Sequence, residues 1–304
     1  MCGITILKDG SADVLRAFLK TWAYQETRGT DACGVFALGR MSGRETVFYS
    51  KYPVQCSIFV PYIADVWRRH SFVPVYALAH ARAATHGTPL VNRNNHPIVR
   101  KDDDGVVHVL IHNGIVHMSR CSTKRTETDS EEILCALMSS HDLKDVYSSI
   151  VGSASVGYMA VADGPVLRRF VVMRYISPLS RLEQSGAVIY ASVFPRELSK
   201  QAHDVDYGVY DLLTGRSHVD KHRHDYHYYY WSVNTSYIGE CIKACAEDVV
   251  KRHCDDYHFY NTIMTCKRNG VTQYYTYTGN TTIVNEEVDE TVRACYSVCV
   301  EYDV

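Results

Sequence analysis

The chain has 304 residues, 46% hydrophobic and 22% charged, proportions that exclude a globally disordered protein. Its 32 basic and 34 acidic residues give a net charge of -2, which does not draw it to nucleic acid or to an anionic membrane. No apolar run has the length of a membrane span, and Lys8, Asp9 and Gly10 interrupt the N-terminus too early for a signal peptide. We therefore expect a cytoplasmic protein that binds neither nucleic acid nor membrane.

The number of cysteines raises the question of disulfide bonds. Eleven cysteines would suit a disulfide scaffold, but such scaffolds are short secreted domains and this chain is far longer. A reducing cytoplasm would keep the thiols free. We therefore expect unpaired cysteines that serve as small core residues or surface thiols.

The first predicted elements are a strand and a helix. Residues 2–8, CGITILK, form an apolar run typical of a buried strand. A helix follows at 11–25, where Ser11 is a plausible N-cap residue. Its apolar side chains form one stripe, namely Val14, Leu15, Phe18, Leu19 and Trp22. Four further strands are then predicted, at 33–40, 45–51, 73–82 and 106–113.

A second helix and three strands complete this part of the chain. Thr128 and Glu131 have the spacing of a capping box before an apolar stripe, which predicts a helix at 128–140. Strands are predicted at 157–163, 167–175 and 187–194. Many strands with two helices among them indicate a layered α+β domain in which helices cover packed sheets.

The composition changes near residue 216, where a run rich in histidine and tyrosine begins. We therefore divide the chain into a domain at 2–216 and a small β-rich C-terminal extension at 217–304. Asn269 and Gly270 lie between β-prone runs and predict a two-residue hairpin turn in the extension.

The extension also contains two C-x3-C pairs, at 241–245 and 295–299, with histidines between them. Such pairs would suit a structural zinc ion, but consecutive helical turns give the same spacing by packing alone. We favour thiols in a small core and predict neither a metal nor a cofactor. The histidine-tyrosine run is alternatively a partner surface, since aromatic residues are enriched in interface cores.

Cys2 directly follows the initiator methionine and precedes a glycine. Removal of Met1 would leave a thiol and an α-amine on one residue, a nucleophile with its own base. Alternatively, this cysteine is merely buried in a strand. Four motifs favour the first interpretation, TRGTDACG at 27–34, HARAATHGTPLVNRNNHPI at 80–98, HNG at 112–114 and TDSEE at 128–132.

In this order and spacing, the motifs resemble those of the class II glutamine amidotransferases over about residues 2–215. The likeness is greatest to the glutaminase domain of glucosamine-6-phosphate synthase. The resemblance implies the four-layer αββα sandwich of N-terminal-nucleophile hydrolases. It also implies hydrolysis of L-glutamine to glutamate and ammonia through a thioester on Cys2.

The resemblance further implies how glutamine is held. Arg82 corresponds to the residue that binds the α-carboxylate, a role suited to the permanently charged fork of a guanidinium, with Thr85 and His86 beside it. Asp129 corresponds to the residue that binds the α-ammonium. Taken singly, an arginine at a strand end and an aspartate at a helix start are commonplace. Together they match both charged ends of an amino acid.

Asn113 and Gly114 correspond to the family oxyanion hole. An asparagine side-chain amide and a glycine backbone N–H can both donate to the oxygen that becomes negative during attack on the amide. Read locally, Asn-Gly is alternatively a hairpin turn. Arg28, Gly29 and Asp31 match a family segment beside the nucleophile, which implies a supporting role.

Two positions depart from the family pattern. Ala83 stands where many relatives carry an aromatic residue that helps to close the site, and Val193 stands where an acidic residue is usual. The rest of the chain is too short for a sugar isomerase or phosphoribosyltransferase domain, so we expect a separate synthase to accept the ammonia. The alternatives are an amidohydrolase that acts on another amide and a catalytically silent binding protein.

Overall fold

The computed structural model describes residues 2–118, 121–140 and 142–220, and the backbone of 256–260, 263–268 and 271–276. The chain divides into two compact units, Met1–Lys221 and His222–Val304. Among the described residues, no helix has both the length and the apolar character needed to span a membrane. The division into a functional domain and an extension at residue 216 stays a prediction.

The first unit contains runs of strands with helices between them. The helices are α1 (Ala12–Tyr24), α2 (Cys56–Arg69), α3 (Ser130–Ser139), α4 (Leu143–Ser148) and α5 (Arg196–Ser199). The strands are β1 (Gly3–Lys8), β2 (Ala32–Met41), β3 (Arg44–Tyr52), β4 (Phe72–Arg82), β5 (Ile98–Lys101), β6 (Val107–His117), β7 (Val151–Ala162), β8 (Val166–Tyr175), β9 (Ser180–Gln184), β10 (Ala187–Ala191), β11 (His203–Asp204), β12 (Gly208–Asp211) and β13 (Ser217–Val219).

Two antiparallel sheets stack in this unit. The first has the order β11-β9-β10-β1-β4-β2-β3 and the second the order β13-β12-β8-β7-β6-β5. Side chains such as Ile4 and Ile6 from the first sheet pack with Val109 and Ile111 from the second. Because successive strand residues point to opposite faces, Leu7 of β1 instead faces the helices on the outside of the first sheet.

Helices cover the outer face of each sheet. Trp22 of α1 and Trp67 of α2 belong to the core against the first sheet, and Leu134 of α3 and Val146 of α4 to the core against the second. The layers therefore run helices, sheet, sheet, helices. The predicted α+β fold with a four-layer αββα sandwich is confirmed.

The pairing of β1 with β4 positions the N-terminus. These strands are antiparallel, with Gly3 opposite Ala81 and Ile4 opposite His80. The same register places Cys2, just before β1, at the end of the sheet where β4 finishes with Arg82.

The predicted helices at 11–25 and 128–140 are present as α1 and α3. Helix α2 was not predicted; Pro61 lies within it and lacks the N–H of a regular helical turn. The burial of Phe59, Ile63 and Trp67 against the first sheet compensates for this loss. Tertiary packing therefore overrides the local signal.

The predicted capping box at the start of α3 is wrong. Asp129, not Thr128, is the N-cap residue, and its side chain does not cap the helix. Glu131 reaches further back, where its Oε2 accepts from the backbone N–H groups of Arg125 at 2.7 Å and Thr126 at 2.6 Å. The acidic side chain thus holds the loop before the helix.

The expectation that the cysteines are unpaired is wrong for Cys121 and Cys135, which form a disulfide. Helix α3 brings their Cα atoms to 6.0 Å, a separation that a disulfide can bridge. Among the described residues, Cys2, Cys33 and Cys56 are free thiols. The pairing depends on tertiary structure, so the spacing of cysteines along the chain did not reveal it.

The second unit is described as three antiparallel strands, β14 (Asp256–Tyr260), β15 (Ile263–Arg268) and β16 (Val271–Thr276). Arg268 is opposite Val271, so these strands flank the predicted Asn269-Gly270 turn. The turn itself lies outside the described residues, as do both C-x3-C pairs and most of the histidine-tyrosine run.

Candidate active site

Cys2 is half-buried directly before β1. Its thiol donates to the Ala83 carbonyl at 3.4 Å, and its own carbonyl accepts from Arg28 Nε at 2.8 Å. Burial raises the pKa of the Cys2 thiol, an effect that the positive charge of Arg82 opposes and the negative charge of Asp129 reinforces. At neutral pH the side chain is therefore a thiol, and the charges of Arg82 and Asp129 shift its pKa in opposite directions.

Arg82 ends β4 and organises the loop that follows. Its Nη2 donates to the carbonyls of His86 at 2.5 Å and Gly87 at 2.7 Å, and its Nη1 donates to Asn95 Oδ1 at 2.7 Å. A guanidinium has five N–H bonds, and three of them are used here. Arg82 is only 2% exposed, so the predicted binding of a carboxylate depends on its remaining N–H bonds.

Gly29 and Asp31 fix the backbone at the end of β4. A Cβ atom at Gly29 would lie 2.4 Å from the carbonyl carbon of Arg82, so a glycine is needed for this close approach. Asp31 donates its backbone N–H to the Arg82 carbonyl at 2.9 Å and accepts from the Ala84 N–H at 2.7 Å through Oδ2. Both residues therefore support the strand end that carries Arg82.

Asp129 and the pair Thr85 and His86 differ in their surroundings. Asp129 is half-buried, and its Oδ2 accepts from the backbone N–H of Val116 at 2.8 Å, which ties the start of α3 to β6. Thr85 and His86 are exposed in the loop after β4, with Thr85 Oγ1 3.2 Å from His86 Nδ1. Asp129 thus lies in a fixed position, whereas Thr85 and His86 are open to solvent.

Asn113 and Gly114 lie inside β6, so the alternative of a hairpin turn is wrong. Gly114 is opposite Ala154 of β7 in the continuous β6–β7 pairing. Asn113 is buried, and its Nδ2 is 3.4 Å from Ser192 Oγ, which also accepts from the Ile4 N–H at 3.2 Å. Ser192 therefore connects the asparagine to β1.

Sequence reasoning missed Ser192, although it stands directly beside Val193 in the ASVFPRE run. At Val193, where an acidic residue was expected, the backbone carbonyl accepts from Gln25 Nε2 at 2.7 Å. The signal that could have revealed Ser192 was its position next to the departure from the family pattern.

Gly114 has a φ of +148° in a strand, and a Cβ atom there would lie 1.8 Å from the Ser153 carbonyl oxygen. We expect Gly114→Ala to lower the free energy of unfolding by more than about 4 kcal/mol, because the backbone must move. The control Gly164→Ala has a φ of +74° but open space around its Cβ, so about 1–2 kcal/mol is expected. Urea unfolding measures the free energy of unfolding of both variants. Equal losses would contradict a collision of the Gly114→Ala side chain with the Ser153 carbonyl.

Three buried histidines lie behind the site. The rings of His80 and His96 stack at 4.2 Å, and His80 Nε2 is 3.0 Å from the His112 carbonyl oxygen. His112 Nδ1 is 2.9 Å from Ser130 Oγ. Burial lowers the pKa of His80 to about 3 and lowers those of His96 and His112. The sequence motifs contain all three, but sequence reasoning gave them no role.

These histidines predict instability in acid. Their pKa values are lower in the folded than in the unfolded protein, so the unfolded state binds more protons below about pH 6.5. Stability is then complete above pH 6.5 and falls on acidification toward pH 3, by up to about 1.4 kcal/mol per pH unit for each histidine. Urea unfolding at pH 7 and pH 5 measures this slope.

The control for this prediction compares a buried histidine with an exposed one. His96→Gln is expected to flatten the pH slope, and His70→Gln, on the surface, is expected to leave it unchanged. An unaltered slope in His96→Gln would contradict the assignment.

Comparisons with known proteins address the family and the fold. The family model for class II glutamine amidotransferases matches residues 45–155. The allosteric regulatory enzyme of purine biosynthesis has a similar structure, with a TM-score of 0.52 at 17% identity over 72% of this chain and 49% of that one. No curated protein matches the sequence.

Two other solved structures align more weakly. Glutamine phosphoribosylpyrophosphate amidotransferase from B. subtilis, complexed with ADP and GMP, has a TM-score of 0.46 at 15% identity, over 72% of this chain and 49% of that one. A predicted glutamine amidotransferase from Pseudomonas aeruginosa has a TM-score of 0.30 at 13% identity, over 62% and 82%. This chain spans about half the length of the first two structures.

The first unit thus has the α+β fold of the N-terminal-nucleophile hydrolases. Within this class, the resemblance to the class II glutamine amidotransferases is confirmed, and the matched stretch contains Arg82, Asn113 and Asp129. Cys2 lies outside that stretch. The greater likeness to glucosamine-6-phosphate synthase stays a prediction.

Proposed function

We propose that the first unit is a glutaminase that hydrolyses L-glutamine to glutamate and ammonia through a thioester on Cys2. The observation that carries the proposal is that the Cys2 thiol lies 3.4 Å from the carbonyl of Ala83, the residue after Arg82, with the opposite charges of Arg82 and Asp129 near enough to shift its pKa. Glutamine has an amide to be cut and two opposite charges at its other end. This chemistry needs neither a metal nor a cofactor.

In the proposed complex, the two charged ends of glutamine fix its position. The remaining N–H bonds of Arg82 bind the α-carboxylate, with contacts from Thr85 and His86 in the exposed loop. The Asp129 carboxylate binds the α-ammonium. Its Oδ2 already accepts from Val116, so Oδ1 is the oxygen assigned to the substrate. Both charges are held by backbone contacts before substrate arrives, which lowers the cost of ordering the site.

The proposed reaction begins with removal of Met1, which frees the amine of Cys2. This amine takes the thiol proton as Sγ attacks the amide carbon, and the carbonyl oxygen becomes negative. Asn113 Nδ2 and the Gly114 N–H donate to that oxygen. The C–N bond then breaks, and the amine returns the proton to the leaving ammonia. Water hydrolyses the thioester, which releases glutamate and restores the thiol.

The ammonia is proposed to pass to a separate synthase in the cytoplasm. This chain aligns with only 49% of the allosteric enzyme of purine biosynthesis. A further domain or subunit therefore fits the role of acceptor. In a cytoplasmic location, the Cys121–Cys135 disulfide would be subject to reduction.

The test is intact mass spectrometry after incubation with 6-diazo-5-oxo-norleucine, a glutamine-like alkylating agent. The expected product lacks Met1 and carries one adduct, which peptide mapping places on Cys2. Ammonia release from glutamine is measured on the same preparation. Absence of both adduct and ammonia would refute the proposal. Ammonia from a different amide would instead favour another amidohydrolase.

A further inference from the structure

A cavity of about 640 Å³ is lined by the edge strand of each sheet, β3 and β5, and by the segment around the start of α3. None of the residues assigned to glutamine lines it. Its charged and aromatic lining consists of Tyr49, Lys51, Arg93, Arg100, Arg125 and Glu131. We propose that this cavity is a second binding site, for a small organic phosphate.

The charges of the lining favour a dianion. Lys51, Arg93, Arg100 and Arg125 are basic, and Glu131 is acidic, so the cavity has three positive charges in excess (4 − 1). A single carboxylate would neutralise one of them, whereas a phosphate monoester has nearly two negative charges and three acceptor oxygens. A guanidinium group can donate two parallel N–H bonds to two oxygens of one phosphate.

Arg100 is largely buried, with a side chain only 10% exposed, and its ion pair with Glu131 does not satisfy all of its N–H groups. Its Nη1 donates to the disulfide sulfurs of Cys135 at 3.0 Å and Cys121 at 3.6 Å, and its Nη2 to Thr123 Oγ1 at 3.0 Å. Among the described residues, its buried Nε has no hydrogen-bond partner, and the nearest Glu131 oxygen is 3.6 Å from Nη1. Sulfur is a weak acceptor, so an anionic oxygen would pair this cation better.

Lys51 and Tyr49 indicate that the phosphate carries an organic group. Lys51 Nζ is fixed by donating to the carbonyls of Asn95 at 2.6 Å and Pro97 at 3.0 Å. It lies 5.9 Å from the ring centroid of Tyr49, whose 43% exposure leaves part of the side chain available to a ligand. A fixed cation beside an aromatic wall suits a phosphate joined to a ring. The cavity volume lies in the usual range for small-molecule sites.

The cavity and the glutamine site meet at Asn95, which accepts from Lys51 through its carbonyl and from Arg82 through its side chain. A test must therefore separate the two sites. Phenyl phosphate is the probe, titrated calorimetrically into the Cys2→Ala protein with and without saturating glutamine. We expect saturable binding of one equivalent in both cases, and none with benzyl alcohol, which keeps the ring but lacks the phosphate.

The variants remove exposed cations, because Arg100 faces the buried Glu131 and its loss would disturb the fold. Arg93→Gln and Arg125→Gln are each expected to weaken phenyl phosphate binding about threefold, and together roughly tenfold or more. The matched control Arg16→Gln, an exposed arginine on α1 outside the cavity, is expected to leave the affinity unchanged.

Three outcomes would overturn the proposal. They are no saturable binding, an affinity that the double variant does not change, and competition by glutamine, which would assign the probe to the glutamine site. If inorganic phosphate binds as tightly as phenyl phosphate, the claim that the ligand carries an organic group is wrong. Because the titration uses Cys2→Ala and measures binding, its result is independent of whether the protein is a glutaminase.

Discussion

Replacement of Cys2 by alanine is expected to lower glutamine hydrolysis by roughly 10⁴- to 10⁶-fold, since the proposed thioester forms on its sulfur. The thiol makes a single side-chain hydrogen bond among the described residues, to the Ala83 carbonyl at 3.4 Å. Its loss should therefore leave the fold intact. Ammonia release is measured on protein whose loss of Met1 has been verified by mass.

The matched control is Cys33→Ala, which removes another free thiol of the same unit from the buried part of β2. This change shortens a core side chain and is expected to lower stability, with little effect on the rate per folded molecule. Thermal unfolding of both variants separates the two effects. Activity of Cys2→Ala within tenfold of the unaltered protein would refute Cys2 as the nucleophile.

In the proposed mechanism, the environment of Cys2 accounts for the role of an α-amine beside the thiol. A thiolate would attack glutamine without help, but burial raises the pKa of this thiol and keeps it protonated at neutral pH. A base must therefore take the proton during the attack. An α-amine titrates near pH 8, which suits a general base at neutral pH. While Met1 is attached, this nitrogen is part of a peptide bond and cannot act as a base.

Strongly patterned segments made much of the fold predictable from sequence. Residues 3–7 are buried because β1 lies between the helices, which Leu7 faces, and the second sheet, which Ile4 and Ile6 face. The stripe of α1 covers one face of the first sheet. Helix α2 was not predicted, and Pro61 within it is a local signal against a helix that the packing of α2 against the sheet outweighs.

The candidate site was predictable where residues belong to motifs, and unpredictable where partners are distant in sequence. Arg82 was found, but its contacts with its own loop and with Asn95 depend on how that loop folds. Ser192 reaches Asn113 across 79 positions of the chain, and no local pattern encodes that distance. The Asn-Gly pair at 113–114 was ambiguous, since this dipeptide is also typical of hairpin turns. Here it lies within a strand, in which Gly114 has a positive φ.

Replacement of Asn113 by alanine is expected to lower kcat by about 10²- to 10³-fold and to leave KM nearly unchanged. In the proposed mechanism the side-chain amide donates to an oxygen whose charge develops only as the carbonyl is attacked, so its loss affects the transition state more than the bound substrate. Steady-state kinetics with glutamine measure both constants, corrected for the folded fraction. A higher KM with unchanged kcat would contradict the oxyanion role and assign Asn113 to substrate binding.

Ser192→Ala distinguishes donation by Asn113 from its positioning. Ser192 Oγ lies 3.4 Å from Asn113 Nδ2, a long contact that leaves the second N–H of the amide for the substrate oxygen. Loss of the hydroxyl keeps the donor but loosens its orientation, and it also removes the acceptor for the Ile4 N–H. We therefore expect a kcat between those of the unaltered protein and Asn113→Ala, and a double variant no slower than Asn113→Ala alone. Multiplicative losses in the double variant would show that Ser192 acts on catalysis by a route that does not pass through Asn113.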